Sequence, residues 1–148
     1  MAHEDFFRQL RTEHSEVKSI IQQIMQSSDK EQKFMTLKRE LMPHMKGEEA
    51  VFYPPLKQNP ETRMDALEAI EEHHAAEMTL NELDSMPKNQ DEWTAKLMVL
   101  KDMLEHHIEV EEGKIFDSAR SVIPETQAEM LLKNYMQEKE KISSTLAR

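Results

Sequence analysis

Four stretches of this chain put a histidine on a helix face that is otherwise apolar, and three of them add a glutamate one turn further on. The first reads Phe7, Leu10, His14, Val17, Ile21, Ile24. The second reads Phe34, Leu37, Leu41, His44, Glu48, Val51, and the third Leu67, Ile70, His73, Glu77, Leu80. The fourth reads Trp93, Leu97, Leu100, Leu104, His107, Glu111, Ile115. Spacings of three and four set each series on one face of a helix. If those faces meet, four imidazoles and three carboxylates point at one interior spot. Burying a single uncompensated carboxylate costs several kcal/mol, against a net stability of roughly 5–15 kcal/mol for a domain of this size. A positive charge must sit among them, and a pair of metal ions is the simplest candidate.

The elements that must carry these residues follow from the composition and the breakers. With 148 residues the chain is long enough for one domain with a real core. Two glycines and an abundance of Glu, Lys, Leu, Met and Gln mark a helical protein. Helix one is expected from about 4 to 26, closed by Ser27, Ser28 and Asp29, and helix two from about 30 to 57, with Pro43 expected to kink it. Asn59-Pro60-Glu61 supplies a start signal for helix three, with Asn at the N-cap and Pro at N1, running to about Ser85. Helix four is expected from about 90 to 121 and a fifth from about 124 to 143, with Met130, Leu131, Tyr135 and Ile142 on one side. Short links between long helices predict antiparallel neighbours. The fold class is therefore all-α: one domain over 1–148, an up-down-up-down four-helix bundle over about 4–121 with an appended C-terminal helix. That helix either caps the bundle or forms a dimer seam, so the chain is read as a monomer or homodimer.

An internal repeat supports this layout. Leu41-x-x-His44-x-x-x-Glu48-Glu49 aligns with Leu104-x-x-His107-x-x-x-Glu111-Glu112, and Glu13-His14-x-x-Val17 aligns more weakly with Glu72-His73-x-x-Ala76. Two helix pairs of similar design suit a site with two metal ions at the centre.

Several function classes are excluded or disfavoured. No cysteine means no thiolate zinc or iron–sulfur site. A formal net charge of −10 argues against nucleic acid or an anionic membrane as partner. No apolar run approaches the roughly 20 residues of a membrane span. The start, MAHEDFFRQL, has no basic segment leading into an apolar one, so it does not read as a secretory signal. A soluble cytoplasmic protein is the expectation. The twelve methionines are scattered, which reads as core filler rather than a copper site. With so little glycine, a phosphate-binding loop is not expected.

The blocks around His14, HMKGEEAVFYP around His44 and Glu48, EEHHAAE around His73 and Glu77, and HHIEVEEGKIF around His107 and Glu111 resemble the hemerythrin-like, or HHE, cation-binding domains. The resemblance covers about residues 4–120 and is to the broader bacterial-type branch. It implies a non-haem di-iron centre in a four-helix bundle that binds dioxygen or related small species, or senses iron or oxygen. In the oxygen-carrying members the third helix gives two histidines one turn apart, and here the second of that pair is Glu77. An anionic ligand at that point favours ferric iron over ferrous and argues against oxygen carriage.

The implied metal ligands are His14, His44, Glu48, His73, Glu77, His107 and Glu111. With about six ligands to each iron, bridging Glu48 and Glu111, four histidines, a monodentate Glu77 and a bridging oxide or hydroxide leave one position open. An open position makes the site one that binds something. The order His-x-x-x-Glu, rich in histidine, also differs from the Glu-x-x-His of ferritin-like proteins. His74 and His106 are read as the outward members of their doublets, His3 as a surface residue, and Glu49 and Glu112 as exposed or as partners of histidine N–H groups. Tyr53 and Trp93 are read as packing at a bundle end.

Two functions compete. One is a binding protein whose di-iron centre holds dioxygen, nitric oxide or iron itself for sensing, storage or stress protection. The other is an enzyme using the same centre to reduce peroxide, dioxygen or nitric oxide. A structural divalent-metal site is a third reading. Turnover needs an electron source, which favours binding.

Overall fold

The computed structural model describes residues 2–146. Helix α1 is Ala2–Gln26. Helix α2, Lys30–Gly47, starts at Asp29, whose carboxylate accepts the Gln32 N–H; this satisfies one of the amides a helix start leaves without a partner. It runs through Pro43, opens into a π-helical turn at Glu48–Phe52, and resumes as α3, Tyr53–Gln58. Helix α4 is Arg63–Ser85. Helix α5, Asp91–Val110, passes through a second π-helical turn at Glu111–Ile115 into α6, Phe116–Val122. Helix α7 is Glu125–Leu146.

The expected all-α architecture is what the chain adopts: a four-helix bundle with an extra C-terminal helix. Two antiparallel hairpins, α1 with α2 and α4 with α5, face one another, and α7 lies along the outside of α1 and α2. The fifth helix therefore flanks one hairpin rather than closing an end of the bundle. Ala128, Leu131 and Tyr135 are its buried residues, whereas Met130 is exposed. Among the described residues no helix is long and apolar enough to cross a membrane.

Helix α4 starts later than its signal. Asn59 does not cap it; its side chain accepts the Glu61 N–H and its carbonyl accepts the N–H of Thr62 and Arg63, so 59–62 form a turn before the helix. The buried line of α4 is also rotated from the expected one. It runs Ala66, Ala69, His73, Ala76, Leu80, Leu83 rather than through Leu67, Ile70 and Glu77. Alanines face inward here because the helix lies close to its neighbours.

The core divides into two apolar ends with a polar layer between them. One end gathers Phe6, Phe7, Phe52, Tyr53, Phe116 and Tyr135 with small aliphatic neighbours. The other gathers Val17, Ile21, Phe34, Leu41, Leu80, Trp93, Leu97 and Leu104. Trp93 belongs to this second end, where its indole N–H donates to the Leu83 carbonyl at 2.9 Å. Between the two ends lie His14, His44, Glu48, His73, His107 and Glu111, all buried.

Candidate metal centre

Both π-helical turns begin on the glutamate of the repeated His-x-x-x-Glu-Glu block, at Glu48 and at Glu111. An α-helix advances ~100° per residue, so two successive side chains cannot both stay on an inner face. The wider i→i+5 turn reduces that angle. Glu48 and Glu111 then point to the centre while Glu49 and Glu112 stay within reach of the neighbouring hairpin.

The centre has two halves. His14 Nε2 lies 3.2 Å from Glu111 Oε1, and His44 Nε2 lies 3.1 Å from Glu48 Oε1. His73 Nε2 is 3.4 Å from the same Glu48 oxygen, and His107 Nε2 is 3.4 Å from Glu111 Oε2. Each carboxylate thus joins one half to the other. Donor atoms of His14, His44, Glu48 and Glu111 lie within 4.8 Å of one another, as do those of Glu48, His73 and His107. His14 Nε2, both Glu48 oxygens and Glu111 Oε1 are buried with no hydrogen-bond partner. Buried polar atoms are rarely left so, and imidazole nitrogen with carboxylate oxygen is a donor set that suits iron, zinc and similar divalent ions. The residues fit a metal pair.

The outer nitrogens form a closed circuit. Glu13 of α1 binds His44 Nδ1 of α2 at 2.8 Å. Glu49 binds His73 Nδ1 of α4 at 2.9 Å, Glu72 of α4 binds His107 Nδ1 of α5 at 2.6 Å, and Glu112 binds His14 Nδ1 of α1 at 2.7 Å. Each helix orients the histidine of the next around the bundle. A carboxylate on Nδ1 fixes the ring and the tautomer and turns Nε2 to the centre.

Electrostatics follow from this crowding. Burial by itself would lower the pKa of His44 and His107. The Glu48 charge and the Glu13 bond at His44, and bonds to Glu111 and Glu72 at His107, outweigh it and hold both at about 10. Burial would raise Glu13, but its bonds, led by the one to His44, bring it down to about 2. Burial, then the charges of Glu111 and Glu48, push the Tyr53 phenol well up.

Six of the seven sequence-read ligands converge: His14, His44, Glu48, His73, His107 and Glu111. Glu77 does not join them. Its carboxylate pairs with Lys46 Nζ at 2.8 Å in a half-exposed position. The reason is local: α4 keeps α geometry at Glu77, so the inner position after His73 is Ala76. Tyr53 stands beside the centre instead. Its Oη donates to Glu111 Oε2 at 2.5 Å and lies 3.4 Å from both His73 Nε2 and His107 Nε2. Tyr53, read as end packing, is thus part of the centre. His74 and His106 point outward, with side chains 52% and 65% exposed. His3 is largely buried, tying the N-terminus to the α6–α7 junction through the Ile123 carbonyl and Glu125. Glu13 and Glu72 escaped the sequence reading, although each directly precedes a ligand histidine in the weaker repeat.

A cavity of about 10 Å³ adjoins the four histidines, closed on its other side by Val17, Leu41, Met45, Leu104 and Ile108. A family model described as the Hemerythrin HHE cation binding domain matches residues 5–119. The chain belongs to the hemerythrin family. The matched span holds every residue of the hemerythrin-type centre and ends before α7. No curated protein and no solved structure matches the chain.

Proposed function

We propose that this hemerythrin-family chain is a non-haem di-iron protein that binds dioxygen or nitric oxide, for sensing, storage or stress protection. The reading rests on one observation above the others: four buried donor atoms without partners, surrounded by four imidazoles whose outer nitrogens are all tied to carboxylates. His14 and His44 would hold one iron, His73 and His107 the other, with Glu48, Glu111 and an oxide or hydroxide between them. Iron so held supplies a reversible one-electron redox change and a coordination position for a small ligand.

The chain's own residues set which ligand. The cavity that the four imidazoles line has an aliphatic far wall. An apolar diatomic fits that wall. Peroxide, which needs hydrogen-bond partners, fits less well. The circuit of Glu13, Glu49, Glu72 and Glu112 keeps the Nε2 atoms in place, so little reorganisation accompanies a change of iron charge. Leu41, Met45, Leu104 and Ile108 exclude bulk water from the same side.

The test is metal analysis with a visible spectrum on protein purified under iron-replete conditions, followed by anaerobic titration of the reduced protein with nitric oxide. Two irons per chain, charge-transfer bands of an oxo-bridged diferric pair and a stoichiometric nitric oxide spectrum support the reading. A colourless zinc protein sinks it.

A further inference from the structure

Of the four carboxylates that orient histidines, Glu13 is unlike the rest. Its side chain is 4% exposed, whereas those of Glu49, Glu72 and Glu112 are 20%, 25% and 32% exposed. Two of its partners come from α7, which lies beyond the family match. Tyr135 Oη donates to Glu13 Oε1, and Lys139 Nζ lies 2.6 Å from Glu13 Oε2. Gln9 completes the shell at 2.6 Å, and Tyr135 Oη also sits 3.0 Å from His44 Nδ1. Glu13 thus holds His44, and α7 holds Glu13.

We propose that α7 is a clasp on the metal centre, with Tyr135 and Lys139 as positioning residues for the His14–His44 half. The proposal rests on the di-iron reading and adds a means of regulating it. When α7 is docked, Glu13 has one orientation and fixes His44 Nε2 toward the centre. Released, α7 takes away two of the four partners of a buried carboxylate, and Glu13 turns to water or to the Nε2 side. Coupling between two binding events is reciprocal, so metal in this half tightens the docking of α7 by the factor by which docking tightens metal.

Helix α7 suits that role because it packs along α1 and α2, the helices that carry Glu13 and His44, yet buries few apolar side chains. Only Ala128, Leu131 and Tyr135 are buried along its 22 residues, against Phe6, Phe7, Leu10, Val17, Ile21 and Ile24 on α1. Elements with little buried apolar surface open at lower free energy than the core. In the other half of the centre, His73 and His107 are oriented by Glu49 and Glu72, to which no side chain of α7 hydrogen-bonds among the described residues, so loss of the Tyr135 and Lys139 bonds acts first on the His14–His44 half.

Iron-loaded wild type, Tyr135→Phe, Lys139→Met and Lys139→Arg are mixed with excess chelator, metal loss is timed, and backbone hydrogen exchange in α7 is measured with and without iron. Tyr135→Phe keeps the ring, which packs edge-on against Phe6, so it isolates the hydroxyl. Loss of a partner to a metal ligand weakens affinity about 10–100-fold. Being one step further out, Tyr135→Phe and Lys139→Met should release half the iron about 10-fold faster and leave the other half at the wild-type rate, with Lys139→Arg close to wild type. Iron should slow exchange in α7 of the wild type, and that protection should vanish in Tyr135→Phe. Faster loss of both halves, together with a lowered melting temperature, would mean a merely structural helix and overturn the clasp. So would unchanged release, or exchange in α7 that ignores iron. Wild type that takes up no metal at all would overturn the di-iron reading and the clasp with it.

Discussion

Tyr53 Oη donates to Glu111 Oε2 at 2.5 Å while lying 3.4 Å from two imidazole nitrogens, His73 Nε2 and His107 Nε2, which are themselves 3.2 Å apart. Three donor atoms so placed could share one metal ion. Tyr53 therefore stands beside this half of the centre, which Glu77 does not reach. Iron-loaded protein should show a visible phenolate-to-ferric band that Tyr53→Phe abolishes, with weaker iron retention in the same half. Glu77→Gln, which removes only the partner of Lys46, should change neither iron content nor spectrum. The reverse pattern would return Glu77 to the ligand set and make Tyr53 a hydrogen-bond donor alone.

The histidine doublets separate cleanly by burial. His73 and His107 are buried among the donors, and their neighbours His74 and His106 are exposed beyond half. His73→Ala and His107→Ala should each lose iron from the protein as isolated. His74→Ala and His106→Ala should retain it, with stability within about 0.5 kcal/mol of wild type. Iron analysis of the four purified variants decides it. Retention by His107→Ala would break the geometry on which the metal reading stands.

Much of this centre was legible because apolar stripes interrupted by histidine are rare and the His-x-x-x-Glu-Glu block occurs twice. The inner histidines, Glu48, Glu111 and the partner role of Glu49 and Glu112 all follow from stripe and repeat. The rest was hidden for physical reasons. Around His73 the inner line of α4 is made of Ala66, Ala69 and Ala76, so Leu67 and Ile70 outweighed it in hydrophobicity and drew Glu77 onto the wrong face. The π-helical turns have no periodic signature, yet they keep Glu49 and Glu112 within reach of the neighbouring hairpin. Glu13 and Glu72 act on a neighbouring helix, and no spacing within one helix shows that. The appended helix showed its stripe but not the surface that receives it.

Glu72 gives a test of the orienting circuit. It accepts from His107 Nδ1 at 2.6 Å, and that bond chiefly holds its carboxyl below the ordinary value. Glu72→Gln keeps the shape but removes the charge that makes the imidazole a stronger donor. Iron affinity should fall about 10–100-fold, and the metal-free protein should melt lower as well, because the same bond helps to hold His107 charged. Competition with a calibrated chelator measures the first and a thermal scan the second. Equal affinity would reduce the circuit to packing.

Gly47 and Gly113 make a matched pair. A Cβ on Gly47 would come 2.7 and 2.9 Å from ring carbons of Tyr135, which is buried and tied by its hydroxyl. A Cβ on Gly113 meets nothing within 4 Å. Gly47→Ala should therefore push α7 from α2 and cost about 1–3 kcal/mol, as overpacking does. Gly113→Ala should be neutral or stabilise by up to about 1 kcal/mol through helix propensity. Denaturant titration of both variants checks the contrast, and equal effects would show that α7 yields freely at this contact.

The final prediction concerns pH. In metal-free protein His44 and His107 titrate at about 10 against an ordinary 6.5, so their charged forms are favoured by folding. That stabilisation is complete below pH 6.5 and is lost as pH rises toward 10. Glu13 acts in the opposite sense: lowered from 4.5 to about 2, it stabilises above pH 4.5 and loses that effect as pH falls toward 2. Metal-free protein should then melt highest between about pH 4.5 and 6.5. Metal ligation requires neutral imidazoles, so iron uptake at pH 7 must expel the protons of His44 and His107. The loaded protein should melt above the metal-free one, because the carboxylates gain a cation, and the gap should widen from pH 6.5 to 9. Thermal scans of both forms, with calorimetry in two buffers of different ionisation enthalpy, test each part. A gap that narrows with rising pH, or uptake without proton release, would mean that these imidazoles are not the ligands.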